Sequence, residues 1–242
     1  MIKRVTDINS LSGVNSPLFP LIYADFKYSV SDSDGVFIQE VDGKKKLAFS
    51  LKGDSLTCVK LNDEYDSDEL SSFGSFWNVS CITSDFEIQG FEMKKCVLME
   101  CTPENKSVSE IKELSSRSML SDYEAIFRLV SEDNNGFDNW FPAFSRKVNG
   151  GDALGVYCTE DGLSVSTAIA PYIYDKTAIV AGVFTMTEYR SRGFATICVN
   201  TLINQCKNKK INKIYLWCDK DKIKFYNNLG FAICGEIYVK EE

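Results

Sequence analysis

The sequence contains no histidine among its 242 residues. The absence of histidine excludes Ser-His-Asp and Cys-His catalysis, histidine acid/base chemistry and zinc sites with histidine ligands. Any chemistry must therefore use carboxylates, Tyr, Lys, Cys, backbone amides or a cofactor. Proline and glycine are also few, at 5 and 15 residues, while 44% of the chain is hydrophobic. Such values are typical of a globular protein and exclude a disordered or collagen-like chain.

The nine cysteines lack the spacing of a disulfide framework or a metal site. Their number is odd and no two form a C-x-x-C pair. Most lie within apolar runs, such as residues 156–158 and 216–218. We therefore expect buried free thiols in a reducing compartment, with Cys218 inert, and no metal site.

Long apolar segments are also lacking. No uncharged apolar stretch approaches the ~20 residues of a membrane span, and residues 1–7 lack the apolar core of a signal peptide. We expect a soluble cytoplasmic protein with no membrane partner. The net charge of −7 also predicts no nucleic-acid partner.

The charge distribution and a polar segment indicate two domains. Residues 1–103 carry 10 basic and 16 acidic side chains, whereas residues 104–242 carry 17 and 18. Residues 102–107, TPENKS, form a polar break that predicts the boundary. The first part is predicted to be a smaller α/β domain with a helix near residues 18–28 and a second helix that follows the acidic residues 63–69 and ends near residue 77. Its strands are predicted at 35–41, 46–51, 55–60, 78–83 and 95–101.

Two helices are predicted at the start of the second part. Ser121 is expected to cap a helix over residues 120–130, with Glu124 at the capping-box position. An apolar stripe at i, i+3, i+4 and i+7 predicts the next helix, which we expect to begin near Trp140 because Pro142 favours a first turn. The stripe is either core or a lining of the acceptor site, and it consists of Phe137, Trp140, Phe141 and Phe144. Strands are predicted at 153–159, 163–174, 177–185, 213–218 and 231–239, and helices at 193–206 and 221–229.

The turn at residues 190–195, RSRGFA, has the features of an anion site. It joins a predicted strand to the start of a helix, where unpaired N–H groups and the helix dipole favour phosphate. Gly193 allows close approach to the backbone, and Arg190 and Arg192 add charge. Residues 188–224 carry nine basic and three acidic side chains. This segment therefore predicts a polyanionic ligand.

Residues 183–195, together with the Tyr226-x-x-Leu229-Gly230-Phe231 segment, resemble the GNAT superfamily of acyl-CoA-dependent N-acetyltransferases. The order of elements over residues 107–240 matches the mixed sheet of that family. The resemblance implies an α/β (α+β mixed-sheet) GNAT-like acyl-CoA N-acyltransferase fold for residues 104–242. The first domain is then either a degenerate copy of the same fold or an unrelated α+β domain.

The resemblance also implies roles for individual residues. The pyrophosphate of acetyl-CoA would be held, mostly by backbone amides, at Arg190, Ser191, Arg192, Gly193, Phe194 and Ala195. The pantetheine arm would pair with the backbone of Val183, Phe184 and Thr185. Tyr226 would protonate the departing thiolate, although its ring could instead pack in the core.

The implied activity is transfer of an acetyl group from acetyl-CoA to a primary amine of a small molecule or peptide, by direct attack and without a metal. The alternative is a CoA-binding module that has lost catalysis and serves as a sensor or in assembly.

The sequence also departs from the pattern of the family. Many relatives carry a glutamate base on the strand before residues 190–195, the phosphate turn, but residues 176–187 contain no carboxylate. Asp219 and Lys222 stand where many relatives have Asn and a small residue. The acidic first domain is compatible with a cationic acceptor such as a polyamine or an aminoglycoside.

Overall fold

The computed structural model describes residues 1–29, 31–106, 111–131 and 136–240. Ser107, the last residue of the predicted polar break, lies outside them. The chain divides into two compact units. The first unit contains Met1–Met99, Trp217–Ile223 and the segment from Ile233 on, and the second contains Glu100–Leu216 and Lys224–Ala232. The domain boundary between residues 103 and 104 stays a prediction.

The first unit has two helices and seven strands among the described residues. They are β1 (Ile2–Arg4), α1 (Phe19–Tyr28), β2 (Gly35–Val41), β3 (Lys44–Lys52), β4 (Ser55–Lys60), α2 (Ser67–Phe76), β5 (Cys81–Ser84), β6 (Lys94–Cys101) and β12 (Ala232–Lys240). The strand order is β1-β2-β3-β4-β5-β12-β6. Strands β1 to β4 are antiparallel, whereas β4 and β5 are parallel.

Strand β3 supplies three large side chains to the core of the first unit. Its apolar run places Leu47, Phe49 and Leu51 in one buried cluster with residues of β2, β4 and α2. The β2–β3 hairpin turns at Asp42 and Gly43, whose φ angles of 51° and 72° are the positive values that a type I′ turn requires. Asp42 and Gly43 therefore form a tight hairpin turn between the two strands.

The second unit places α3, α4 and α5 around a five-stranded mixed sheet. Its elements are β7 (Lys112–Glu113), α3 (Leu120–Val130), α4 (Phe137–Gly150), β8 (Leu154–Glu160), β9 (Leu163–Tyr174), β10 (Thr177–Thr185), α5 (Phe194–Asn208), β11 (Lys213–Cys218) and α6 (Ile223–Asn228). The strand order is β11-β10-β9-β8-β7. Strands β7 to β10 are antiparallel, whereas β10 and β11 are parallel. The predicted mixed-sheet α/β class is confirmed.

The two units repeat one pattern of strand pairing. In each, four antiparallel strands are followed by a helix and by a fifth strand that is parallel to the fourth. The helix is α2 between β4 and β5 in the first unit, and α5 between β10 and β11 in the second. The turns before α2 and α5 are thus topologically equivalent, although their sequences differ.

The N-terminus of α3 differs from the prediction. The N-cap residue is Met119, not Ser121, which lies within the first turn. The Asp122 carboxylate reaches back to accept a hydrogen bond of 2.7 Å from the Met119 N–H group. The predicted cap by Ser121 and capping box with Glu124 were wrong because Asp122, three residues after Met119, satisfies this helix end instead.

Helix α4 begins one turn earlier than predicted, at Phe137, and contains Pro142 in its interior. The ring of Phe137 packs 5.5 Å from Phe141 and 5.4 Å from Phe127, between centroids. These aromatic contacts hold the first turn in place although Pro142 lacks an N–H donor. The whole aromatic stripe packs against the hydrophobic core of the second unit, which supports its interpretation as core.

Asp122 also accepts a hydrogen bond from the hydroxyl of Tyr157, over 2.7 Å. Burial, followed by this carboxylate, raises the pKa of Tyr157, so the phenol remains a donor. We expect Asp122→Ala to lower the free energy of unfolding by about 2 kcal/mol, because it removes a helix cap and a partner of a buried hydroxyl. Urea unfolding measures this loss.

Asp138→Ala is the matched control, since Asp138 is an exposed acid in the first turn of α4. We expect it to change the unfolding free energy by less than about 0.5 kcal/mol. Equal losses for the two variants would contradict the role given to Asp122.

Candidate active site

Strands β10 and β11 part after a short parallel pairing. Thr177–Ile179 pair with Lys213–Tyr215, and the described register ends there. Strand β10 continues to Thr185 along β9, with register shifts on both sides of Ala181. Gly182 has a φ of 52°, and a Cβ atom there would lie 3.0 Å from side-chain atoms of Ile169 and Val130. The strand therefore bulges at Ala181 and Gly182, and among the described pairings its last residues have no strand partner on the edge away from β9, which suits an extended ligand.

Hydrogen bonds show which backbone groups of β10 face β9. Met186 donates its N–H to the Val165 carbonyl over 2.9 Å, and Ser166 Oγ donates to the Phe184 carbonyl over 2.8 Å. Since backbone groups alternate along a strand, Val183 and Thr185 direct theirs to the opposite edge. The Thr185 carbonyl accepts a hydrogen bond of 3.1 Å from Arg190 Nε. Val183 is thus the position at this edge best placed to pair with a ligand.

The turn that follows β10 exposes the start of α5. Gly193 is the N-cap residue, with a φ of 86°, and no side chain caps the helix. A Cβ atom at Gly193 would meet nothing within 4 Å, so the space beside this backbone is open. Ser191 also has a positive φ, 61°. This is the arrangement of N–H donors that binds phosphate, and it fits the pyrophosphate of a coenzyme.

The two arginines of this turn differ in their surroundings. Arg192 forms an ion pair with Glu160. Its guanidinium also lies 5.4 Å and 5.3 Å from the ring centroids of Tyr189 and Phe194. Arg190 is exposed and lies 6.0 Å from the ring centroid of Phe184. Arg190 is therefore the better placed of the two to bind an anion, while the contacts of Arg192 stabilise the turn.

The equivalent turn of the first unit is built to exclude an anion. The Asp66 carboxylate accepts a hydrogen bond of 2.9 Å from the Glu69 N–H group and so caps α2. Asp68 and Glu69 add negative charge to the first turn of α2. Because this helix start already binds a carboxylate, a phosphate would meet both repulsion and an occupied N–H donor. Of the two equivalent turns, the one before α5 is suited to phosphate.

Tyr226 lies on α6, half-buried. Its ring packs edge-on against Phe225 and Phe231, with centroid distances of 5.0 Å and 5.9 Å. Its carbonyl accepts hydrogen bonds from the N–H groups of Leu229 and Phe231, at 3.0 Å and 3.1 Å, as the helix ends before Gly230. The aromatic contacts fix the ring without burying it completely, and the catalytic role of the phenol stays a prediction.

A cavity of about 590 Å³ opens between α3, the β8–β9 hairpin and the end of β10. Its apolar lining includes Ala125, Leu129, Leu163, Phe184 and Met186. Its charged lining residues are Glu124 and Arg128, which form an ion pair of 3.6 Å. Only Phe184 was among the residues predicted from the sequence. The other lining residues were not predicted as site residues, because they come from three segments that are distant in the sequence.

The remaining candidates have structural roles. Asp219 forms an ion pair of 2.7 Å with Lys94. Burial, followed by Asp219, raises the pKa of the Cys218 thiol, which is consistent with an inert cysteine. Across the described parts of the chain, no three Cys, Asp or Glu residues are grouped as a metal site. In the same parts, every helix is too short or too polar to cross a membrane.

The fold has counterparts among solved structures. Solved structures with similar folds include a GCN5-related N-acetyltransferase from Kribbella flavida (17% identity, TM-score 0.58, covering 80% of this chain and 85% of that one). A GCN5-related N-acetyltransferase-like protein from Streptococcus suis has 13% identity and a TM-score of 0.60, with 97% and 96% coverage. A GCN5-related N-acetyltransferase from Sphaerobacter thermophilus has 12% identity and a TM-score of 0.61, with 100% and 95% coverage. A search of curated proteins gave no match.

The family model of the acetyltransferase (GNAT) family matches residues 117–231. This segment includes the strand β10, the turn before α5 and Tyr226. Residues 117–231 thus form a GNAT acetyltransferase domain, and the resemblance drawn from the sequence is confirmed.

Proposed function

We propose that the protein is an N-acetyltransferase that transfers the acetyl group of acetyl-CoA to a primary amine of a small molecule or peptide. The observation that carries the proposal is the uncapped start of α5 beside the open edge of β10. Family membership supports acetyl transfer, and the turn supplies N–H donors and Arg190 for the pyrophosphate. The thioester supplies an activated acyl group, which needs no metal.

The roles of this chain's residues follow from their positions. Residues 190–195 would hold the pyrophosphate, and Val183 would pair with the pantetheine arm, flanked by Phe184 and Thr185. The bulge at Gly182 breaks the regular pairing of β10, which leaves a backbone N–H group of this strand to steady the carbonyl oxygen under attack. Tyr226 would donate its phenolic proton to the leaving sulfur, and the proton that the attacking amine loses would pass to water, from which Tyr226 is reprotonated. Most of the rate would come from holding amine and thioester together.

We further propose that residues 1–103 form a degenerate copy of the same fold. The repeated pairing of four antiparallel strands and a parallel fifth supports this origin. The acid-capped start of α2 supports the loss of phosphate binding in this copy. A cytoplasmic location, and the absence of membrane, nucleic-acid and metal partners, stay predictions from the sequence.

The test is an assay of free thiol released from acetyl-CoA in the presence of a panel of primary amines, with the acetylated product identified by mass spectrometry. We expect amine-dependent thiol release and a product heavier by one acetyl group. The alternative, a CoA-binding sensor or assembly module, would bind acetyl-CoA and release no thiol with any amine.

A further inference from the structure

The exposed apolar side chains of the second unit gather at one place. Among its described residues, the large hydrophobic side chains that stay exposed are Met119, Leu120, Leu163 and Phe184. Leu163 and Phe184 line the 590 Å³ cavity, and Leu120 directly precedes its lining residue Ser121. Exposed apolar groups that cluster at a cavity mark a ligand site rather than chance exposure.

The cavity lies alongside the strand that would hold the coenzyme. At one end, the ring of Phe184 lies 6.0 Å from the guanidinium of Arg190 in the phosphate turn. At the other, Leu129 is followed by Val130, whose side chain closes on the bulge at Gly182. A ligand in the cavity would thus lie beside the thioester arm without occupying the phosphate turn.

We propose, resting on the acetyltransferase function above, that this cavity holds the apolar body of the acceptor, an amine on an aromatic or branched aliphatic group. The Tyr157 hydroxyl donates a hydrogen bond to Asp122, so Tyr157 contributes its aromatic ring to the lining of the cavity. The volume of about 590 Å³ lies within the range of small-molecule sites. The acceptor class is therefore apolar, in place of the polyamine or aminoglycoside that the acidic first domain suggested.

The charges of the lining disfavour an acceptor that carries several ammonium groups. Glu124 is the one carboxylate among the lining residues, and Arg128 already pairs with it at 3.6 Å. A polyamine would bring further ammonium groups without carboxylates to receive them. A long acyl chain would in turn offer no polar group to this charged part of the lining. A monoamine with an apolar body suits both parts of the lining.

The experiment compares kcat/KM for acetyl transfer to 2-phenylethylamine, 3-methylbutylamine, putrescine and glucosamine. We expect the first two to exceed the others by at least about tenfold. Leu163→Asn should raise KM for 2-phenylethylamine about fivefold and leave the Kd for coenzyme A within about twofold. The matched control is Ile233→Asn, which changes an exposed apolar side chain of the first unit and should leave both constants unaltered.

Calorimetry gives a second readout, by titration of 2-phenylethylamine into protein saturated with coenzyme A. Leu163→Asn should weaken this binding as it raises KM. A preference for putrescine or glucosamine, or an unchanged KM in Leu163→Asn, would overturn the inference and leave the acetyltransferase function standing. A preference for octanoyl-CoA over acetyl-CoA that depends on Leu163 would show that the cavity binds the acyl chain, and would also overturn the inference. If coenzyme A does not bind at all, the inference and the proposed function both fail.

Discussion

Gly193→Glu should lower the affinity for coenzyme A at least about 100-fold. The glutamate side chain would enter the open space beside the Gly193 backbone, where a Cβ atom meets nothing within 4 Å. Its carboxylate would then accept the N–H groups at the start of α5, as Asp66 does at α2, and would repel the pyrophosphate. Isothermal titration of coenzyme A into the variant measures the loss.

Gly43→Glu is the matched control. Gly43 has a φ of 72°, close to the 86° of Gly193, and a Cβ atom there also meets nothing within 4 Å. The two variants therefore carry the same added charge and a similar strain of about 1–2 kcal/mol, because both place a side chain in left-handed backbone. We expect Gly43→Glu to bind coenzyme A like the wild type. Similar affinities for the two variants would remove the α5 start from the coenzyme site.

Tyr226→Phe should lower kcat by about 100-fold and leave the Kd for coenzyme A within about twofold. The variant keeps the ring that packs on Phe225 and Phe231, so α6 and its carbonyl hydrogen bonds should persist. It removes only the phenolic proton that would neutralise the leaving thiolate. Steady-state kinetics with the best amine of the panel, beside calorimetry, separates the two constants.

The control for this substitution is Tyr238→Phe, on β12 of the first unit, which removes an exposed phenol that bonds to Glu236 over 3.3 Å. We expect it to leave kcat unchanged. Turnover of Tyr226→Phe equal to that of the wild type would assign Tyr226 a packing role, the alternative that its aromatic contacts allow.

Local sequence signals predicted helices and strands well where turn residues lie at their ends. Strand β4 has the predicted bounds because Gly53 precedes it, and helix α3 has them because its apolar residues recur at helical spacing, although Ser121 does not cap it. Strand β7, at Lys112 and Glu113, was missed because two charged residues carry no strand pattern and pair with β8 only in the folded chain. The start of α4 was misplaced because aromatic packing at Phe137 outweighed the preference of Pro142 for a first turn.

The candidate site divides in the same way. The phosphate turn was predictable because a strand end, Gly193 and a helix start are adjacent in the sequence. The cavity was not, because residues 121–129, 157–164 and 184–186 meet only in the fold. The ion pair between Arg192 and Glu160 could not be predicted from the sequence either, since the two residues are far apart in the chain. Contiguous motifs were thus readable, and sites built from distant segments were not.

The most direct test is calorimetric titration of acetyl-CoA into the wild-type protein, followed in the same sample by slow thioester hydrolysis. The structure of the α5 start predicts micromolar binding, lost in Gly193→Glu, and hydrolysis that requires Tyr226. No heat of binding with the wild-type protein would contradict the central claim and would restrict the resemblance to GNAT acetyltransferases to the fold.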